Sequence, residues 1–192
     1  MSETPAFRLL VEVLERAQAE GALGSRPVRE VIEHARAFVQ ALPGSVQTVV
    51  DLGSGAGIPG LVLALDRPEL RVTLIDRRAK RTDALQRAVQ VLGWSAQVTV
   101  VEGDAEHLGH DPAWHGSTDA VVARGFGPPY ETLAIAKRFV RPAGWILVSE
   151  PPADHPSRWD VNTLARLSLT SPERLGAIAR FHVEPLAPSV DR

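Results

Sequence analysis

The chain has 192 residues, a formal net charge of −2, 44% hydrophobic and 23% charged residues. That balance fits one globular domain with a sizeable core and leaves any nucleic-acid surface to a local basic patch. The absence of cysteine excludes disulfides, thiolate metal sites and a cysteine nucleophile.

No apolar run reaches the length of a membrane span, and Met1-Ser2-Glu3-Thr4-Pro5 is unlike a signal peptide, so a cytoplasmic location is expected. Phe7 to Ala19 and Val28 to Leu42 carry amphipathic helical spacing. Residues 1–45 are expected to form a helical segment packed on a main domain of residues 46–192, within one structural unit. Val49 to Leu52 is a buried strand that breaks into a glycine loop, with a helix starting near Ile58. Arg71 to Asp76 is a second strand, and Lys80 to Leu92 a helix with Leu85, Val89 and Leu92 on one face. Gln97 to Val101 and Asp119 to Ala123 follow as strands, then a helix from Glu131 to Phe139. Trp145 to Ser149 is a fifth strand after the Pro142-Ala143-Gly144 turn. Leu164 to Leu169 and Ala177 to Val183 are expected to close the sheet as an antiparallel pair. Alternation of strand and helix predicts an α/β, Rossmann-like fold: a mostly parallel, doubly wound sheet with ligands at the strands' carboxyl ends.

The loop Asp51-Leu52-Gly53-Ser54-Gly55-Ala56-Gly57 carries the chemistry. Its glycines let the backbone turn sharply and let a ligand approach without meeting a Cβ. The helix that follows offers N–H groups to a carboxylate or phosphate. Gly55-x-Gly57-x-x-Gly60 also matches the dinucleotide fingerprint. Asp51 argues against that cofactor, because a carboxylate repels a pyrophosphate and suits the ammonium and sulfonium of S-adenosylmethionine. The longer pattern resembles the first motif of class I S-adenosylmethionine-dependent methyltransferases. Asp51, Gly53, Ser54, Gly55 and Gly57 are therefore the first cofactor candidates. Asp76 ends the second strand, where an acid accepts hydrogen bonds from ribose hydroxyls. Ala105 and Glu106 follow the third strand, where backbone groups reach an adenine edge.

Asp51 to Gly60, Thr73 to Asp76, Lys80-Arg81, Asp104-Ala105-Glu106 and Ala123-Arg124-Gly125-Phe126 resemble the small-subunit rRNA guanine-N7 methyltransferase family, also known as glucose-inhibited division protein B. The resemblance covers roughly Val46 to Val148. It implies an enzyme that transfers a methyl group from S-adenosylmethionine to N7 of one guanine in 16S rRNA. It also implies cofactor contacts at Gly53, Ile58, Ala105, Glu106 and Arg124. Guanine N7 has a lone pair and no proton, so an in-line attack needs no general base, only positioning and removal of water.

Arg124 at the fourth strand's end suits a cofactor carboxylate, an RNA phosphate or the O6/N7 edge of guanine, and is the candidate catalytic residue. An ion pair with Asp104 or Glu150 is its structural alternative. Gly127-Pro128-Pro129-Tyr130 looks like an amine-methylating motif but lacks a side-chain acceptor at its first position. Arg77, Arg78, Lys80 and Arg81 cluster at the cofactor end and are candidate RNA contacts. His107, His110 and His115 match no metal-ligand spacing, so no metal is expected. Trp94, Trp114, Trp145 and Trp159 are expected as packing residues rather than base-stacking platforms, and Trp114, in a polar loop, is the first to check for stacking.

The sequence departs from the family at two places. The Trp-Asn…Asn-Leu-Thr stretch is missing before Val28, and Ser149-Glu150 stands where the family has Lys-Gly. An acid at Glu150 opposes phosphate binding. A methyltransferase for a small molecule or protein, and a non-catalytic cofactor-binding protein, are the alternatives. The small ribosomal subunit is the expected partner, and a monomer is the default.

Overall fold

The computed structural model describes residues 4–152 and 154–185. The chain opens with α1 (Pro5–Ala19) and α2 (Val28–Ala41). Thr4 starts α1 by accepting the Phe7 N–H on its hydroxyl at 3.2 Å, with Pro5 in the first turn. The alternating part follows as β1 (Thr48–Leu52), α3 (Gly60–Asp66), β2 (Arg71–Asp76), α4 (Ala79–Leu92), β3 (Val98–Glu102), α5 (Ala105–Leu108), β4 (Thr118–Ala123), α6 (Pro129–Phe139) and β5 (Val140–Ser149). The tail forms α7 (Val161–Arg166), β6 (Glu173–Leu175) and β7 (Ile178–His182).

The seven strands lie in the order β3-β2-β1-β4-β5-β7-β6. β1 to β5 run parallel, while β7 pairs antiparallel with both β5 and β6. Alternate strand residues feed opposite apolar layers. Val49 and Val122 pack with Leu14, Ile32, Phe38 and Leu61, whereas Val50 and Val121 pack with Leu133, Phe139 and Phe181. α1 and α2 thus share the core of the sheet's first face. Chain direction across the sheet reverses between β1 and β4, whose last residues Leu52 and Ala123 are register partners. A doubly wound sheet opens its ligand crevice at that switch point, beside Gly53 and Arg124.

The other end of β1 is held by Asp119. Its Oδ2 accepts the Gln47 and Thr48 N–H groups at 2.9 Å each, and its Oδ1 accepts Arg141 Nε at 2.7 Å. Burial alone raises the Asp119 pKa, but these donors outweigh it and hold the group at about 2.

The fold class expected from the sequence is the one observed, with three local differences. α3 begins at Gly60 because Ala56 to Pro59 are spent on turns. Val140–Ser149 is one strand with a register shift opposite Thr118 to Ala120, not a turn followed by a shorter strand. Gly144 fits there because a Cβ would lie 2.4 Å from Val140 Cγ1 and 2.6 Å from the Asp119 carbonyl oxygen. Leu164 to Leu169 is not a strand. Asp160 accepts the Thr163 N–H at 2.8 Å and caps a helix, and only Leu169 bridges to Val183.

Candidate active site

The loop after β1 turns through left-handed glycines, with φ of 66° at Gly53, 59° at Gly55 and 92° at Gly57. A Cβ on Gly53 would stand 2.8 Å from the Phe126 ring, and one on Gly55 2.8 Å from Arg81 Nη1. Phe126 and Arg81 therefore lie directly over the loop. Ser54 is buried and turned inward: its N–H donates to Ile75 O at 3.0 Å and its hydroxyl to Asp51 O at 2.9 Å. Ser54 fixes the loop's shape, and Ile58 is buried in the apolar layer beneath.

Asp51 is 1% exposed. Its Oδ2 accepts the Gly60 N–H at 2.9 Å, so this carboxylate occupies the start of α3. The Gly57 and Leu61 N–H groups are bonded within the loop, to Ser54 O and Gly57 O at 2.7 Å each. The expectation of free N–H groups for an external anion is therefore corrected: the protein's own carboxylate fills the place of a dinucleotide's pyrophosphate. Asp51 Oδ1 is buried without a hydrogen-bond partner among the described residues. Burial pushes the Asp51 pKa up to about 7, against the Gly60 N–H, Ser54 and the Arg124 charge.

Asp76 ends β2 beside the loop. One carboxylate oxygen accepts the Gly55 N–H and the other the Arg78 N–H, each at 3.0 Å. Each oxygen keeps a second lone pair for a hydroxyl donor. A cavity of about 360 Å³ opens over Gly53, Asp76, Ala105 and Glu106, with Phe126 and Glu131 on the facing side. That volume falls in the range of small-ligand sites. Asp104 caps α5 by accepting the Glu106 N–H at 2.8 Å, so that N–H already has its acceptor.

Arg124 follows β4 directly and projects at the surface of the switch point. Neither expected structural partner holds it. Asp104 is used as a cap, and Glu150 accepts Arg158 at 2.7 Å, with Arg174 at 3.6 Å. Desolvation and the nearby Arg26 charge lower the Arg124 pKa, while Asp51 raises it. Arg26 comes from the α1–α2 connection, where Gln18 Nε2 donates to its carbonyl at 2.9 Å. Sequence reading missed Arg26 because it lies 98 residues from Arg124 and no local motif marks it. It also missed Phe126 as a cover for the glycine loop.

The expectation for Glu150 is corrected too. Its side chain is 5% exposed and clamped by two arginines, so the cluster is net positive and its repulsion of phosphate is cancelled. The basic cluster divides. Arg77 and Arg78 border the cofactor-sized cavity, Lys80 faces a separate groove between α1 and α4, and Arg81 lines both. Trp114 packs edge-on against Phe139 at 6.2 Å and is partly buried, so it offers no stacking platform. His110 Nδ1 lies 2.8 Å from Glu106 O and 3.1 Å from Arg138 Nη1. No group of three or more His, Cys, Asp or Glu is placed to hold a metal among the described residues. No helix among them is long and apolar enough to cross a membrane.

Comparison with known proteins agrees with this geometry. A candidate S-adenosyl-L-methionine-dependent methyltransferase from Methanococcus maripaludis superposes with a TM-score of 0.64 at 15% identity, covering 100% of both chains. The fold is that of class I S-adenosylmethionine-dependent methyltransferases. The ribosomal RNA small subunit methyltransferase G of Rhizorhabdus wittichii is 38% identical over 120 residues, covering 62% of this chain and 53% of the relative. Its namesake from Novosphingobium aromaticivorans is 35% identical over 161 residues, covering 80% of this chain and 67% of the relative. The chain spans about half the length of the first of these relatives. Residues 13–152 match the sequence model described as rRNA small subunit methyltransferase G. With the glycine loop, Asp51, Asp76 and Arg124 gathered at one switch point, the chain belongs to the ribosomal RNA small subunit methyltransferase G family.

Proposed function

We propose that the protein is an S-adenosylmethionine-dependent methyltransferase acting on N7 of a guanine in 16S rRNA, in the cytoplasm. The observation that carries the cofactor is the buried Asp51 Oδ1, which lacks a hydrogen-bond partner among the described residues and belongs to the residue that opens the glycine loop. The negative charge it carries favours a cationic group bound in the neighbouring cavity and opposes an anion there. Asp76 has lone pairs for ribose hydroxyls, and Gly53, Ala105 and Glu106 line the cavity with it. The bound cofactor would supply an electrophilic methyl group.

The chain's own task is then to orient guanine and exclude water. Arg124 stands at the switch point as a donor fork for the O6 edge or for a flanking phosphate, with Arg26 adding positive potential. Arg77 and Arg78 border the same cavity as candidate phosphate contacts. Residues 1–45 act in this reading as a helical segment integral to the 46–192 domain, since α1 and α2 share its core. The clamped Glu150 weakens one of the two features that favoured a small-molecule or protein substrate, the other being the net charge of −2.

Arg124→Ala is expected to lower methyl transfer to small ribosomal subunits by roughly ten- to a hundredfold, the worth of one charge-assisted contact. The check is transfer of labelled methyl to subunits lacking their own N7 methylation, with cofactor affinity measured alongside. Unchanged transfer by the variant would remove Arg124 from the site.

A further inference from the structure

A second groove, of about 410 Å³, runs between α1 and α4 and meets the glycine loop at Gly55 and Ala56. Its walls are two helix faces. On α4, Lys80, Ala84, Arg87, Ala88 and Val91 recur at helical spacing, and on α1 Val13, Arg16 and Ala17 do. Four cations, Arg16, Lys80, Arg81 and Arg87, border it against one acid, Glu20. This is a locally positive groove on a chain whose net charge is −2.

The pairing of these cations separates them from the structural arginines. Arg36, Arg67, Arg141, Arg158 and Arg180 each bond an acid: Asp66, Glu69, Asp119, Glu150 and Glu173 respectively. Arg16, Lys80, Arg81 and Arg87 have no such hydrogen bond or ion pair among the described residues. Unpaired guanidinium groups along a groove suit phosphates. The floor between them is apolar, with Leu85 beneath and Val91 52% exposed at the rim, which suits ribose and base faces over bulk water. Arg81 also lines the cofactor-sized cavity, so the groove leads into the site described above.

We propose that the α1–α4 groove is the track along which single-stranded rRNA reaches the active site, its phosphates held by Arg16 and Arg87 in line with Lys80 and Arg81. This rests on the rRNA reading and adds the path of the substrate. It enlarges the RNA surface beyond the Arg77 to Arg81 cluster to a helix that precedes the sheet.

The test is the Arg16→Glu/Arg87→Glu double variant in the full chain. Both side chains are exposed, and retained S-adenosylmethionine affinity checks that the variant is folded. Binding of labelled naked 16S rRNA and of small ribosomal subunits is measured across a salt series for both proteins, together with S-adenosylmethionine affinity and methyl transfer. The expected result is an rRNA affinity lowered roughly tenfold or more, a log–log salt slope reduced by about 1.4 for two lost single-strand phosphate contacts, and an unchanged cofactor affinity. Equal affinity and slope for the two proteins, with methyl transfer to rRNA intact, would overturn the groove and spare the function. Loss of binding only to assembled subunits, with naked rRNA unaffected, would assign the groove to a ribosomal protein and overturn the RNA track. A parent protein that neither binds nor methylates rRNA would overturn the functional reading and the groove with it.

Discussion

Gly60→Ala is expected to destabilise the protein by about 2–6 kcal/mol, summing an overpacked core position and the loss of a buried hydrogen bond. A Cβ at Gly60 would lie 2.2 Å from Leu74 Cδ2 and 2.8 Å from Asp51 Oδ2. Leu74 is fully buried in β2 and Asp51 is 1% exposed, so neither can move aside cheaply. The added methyl would push the carboxylate off the Gly60 N–H and leave both of its oxygens without a bond. Gly60 has no positive φ, so backbone strain adds nothing to that cost. Gly44→Ala is the natural control, because Gly44 has no left-handed φ and nothing within 4 Å of an added Cβ. Chemical denaturation of the three proteins gives the comparison. A loss below about 1 kcal/mol at Gly60, within the range of ordinary substitutions, would mean that the contact between α3 and β2 is slack.

Asp51→Asn is expected to make the ligand-free protein more stable at pH 8 and to weaken binding of S-adenosylmethionine. In the folded chain burial holds the Asp51 pKa at about 7, above its usual 3.8. Between those values the native state binds the extra proton, so stability falls as pH rises from about 4 through 7. Asparagine cannot ionise and can still accept the Gly60 N–H, so the variant loses this slope. Asp119 works in a separate window: its folded pKa of about 2 contributes stability that is lost only as pH falls below 3.8. The difference between parent and variant at pH 5 to 8 therefore isolates Asp51.

A cationic ligand group prefers the ionised carboxylate, so cofactor affinity of the parent should rise with pH through about 7 and then level off. The variant should bind roughly ten- to a hundredfold more weakly at pH 8, without that rise, for loss of one buried negative charge close to the cavity. Thermal unfolding and calorimetric titration across pH 5 to 9 measure both effects. Equal affinity of the two proteins at pH 8 would show that Asp51 only caps α3.

The parallel strands are legible in the sequence as short, largely apolar runs; β1 and β4 are buried almost throughout, whereas β3, at the sheet edge, fully buries only Val98. The glycine loop and the acid ending β2 are legible for the same local reason, since a sharp turn demands particular residues at particular places. The tail is less so. Leu164 to Leu169 alternates like a strand, but the Asp160 cap decides for a helix, and caps act through one side chain that periodicity does not register. The role of Asp51 is half legible: its charge next to the loop is visible in sequence, its bond to Gly60 nine residues on is not. Glu150 misleads as an isolated acid, because Arg158 and Arg174 reach it only when the chain after β5 folds back. Arg16, Arg26 and Arg87 lie in three separate segments, and packing of α1 and its following loop on the domain brings Arg26 near Arg124 and Arg16 to the same groove as Arg87.

The central claim, methylation of rRNA at guanine N7, is tested most directly by nucleoside mass spectrometry of 16S rRNA incubated with the protein and S-adenosylmethionine. The rRNA should come from small subunits lacking their own N7 methylation. One new 7-methylguanosine at a single position is the predicted result. A folded, cofactor-binding protein that leaves the rRNA without it would contradict the account.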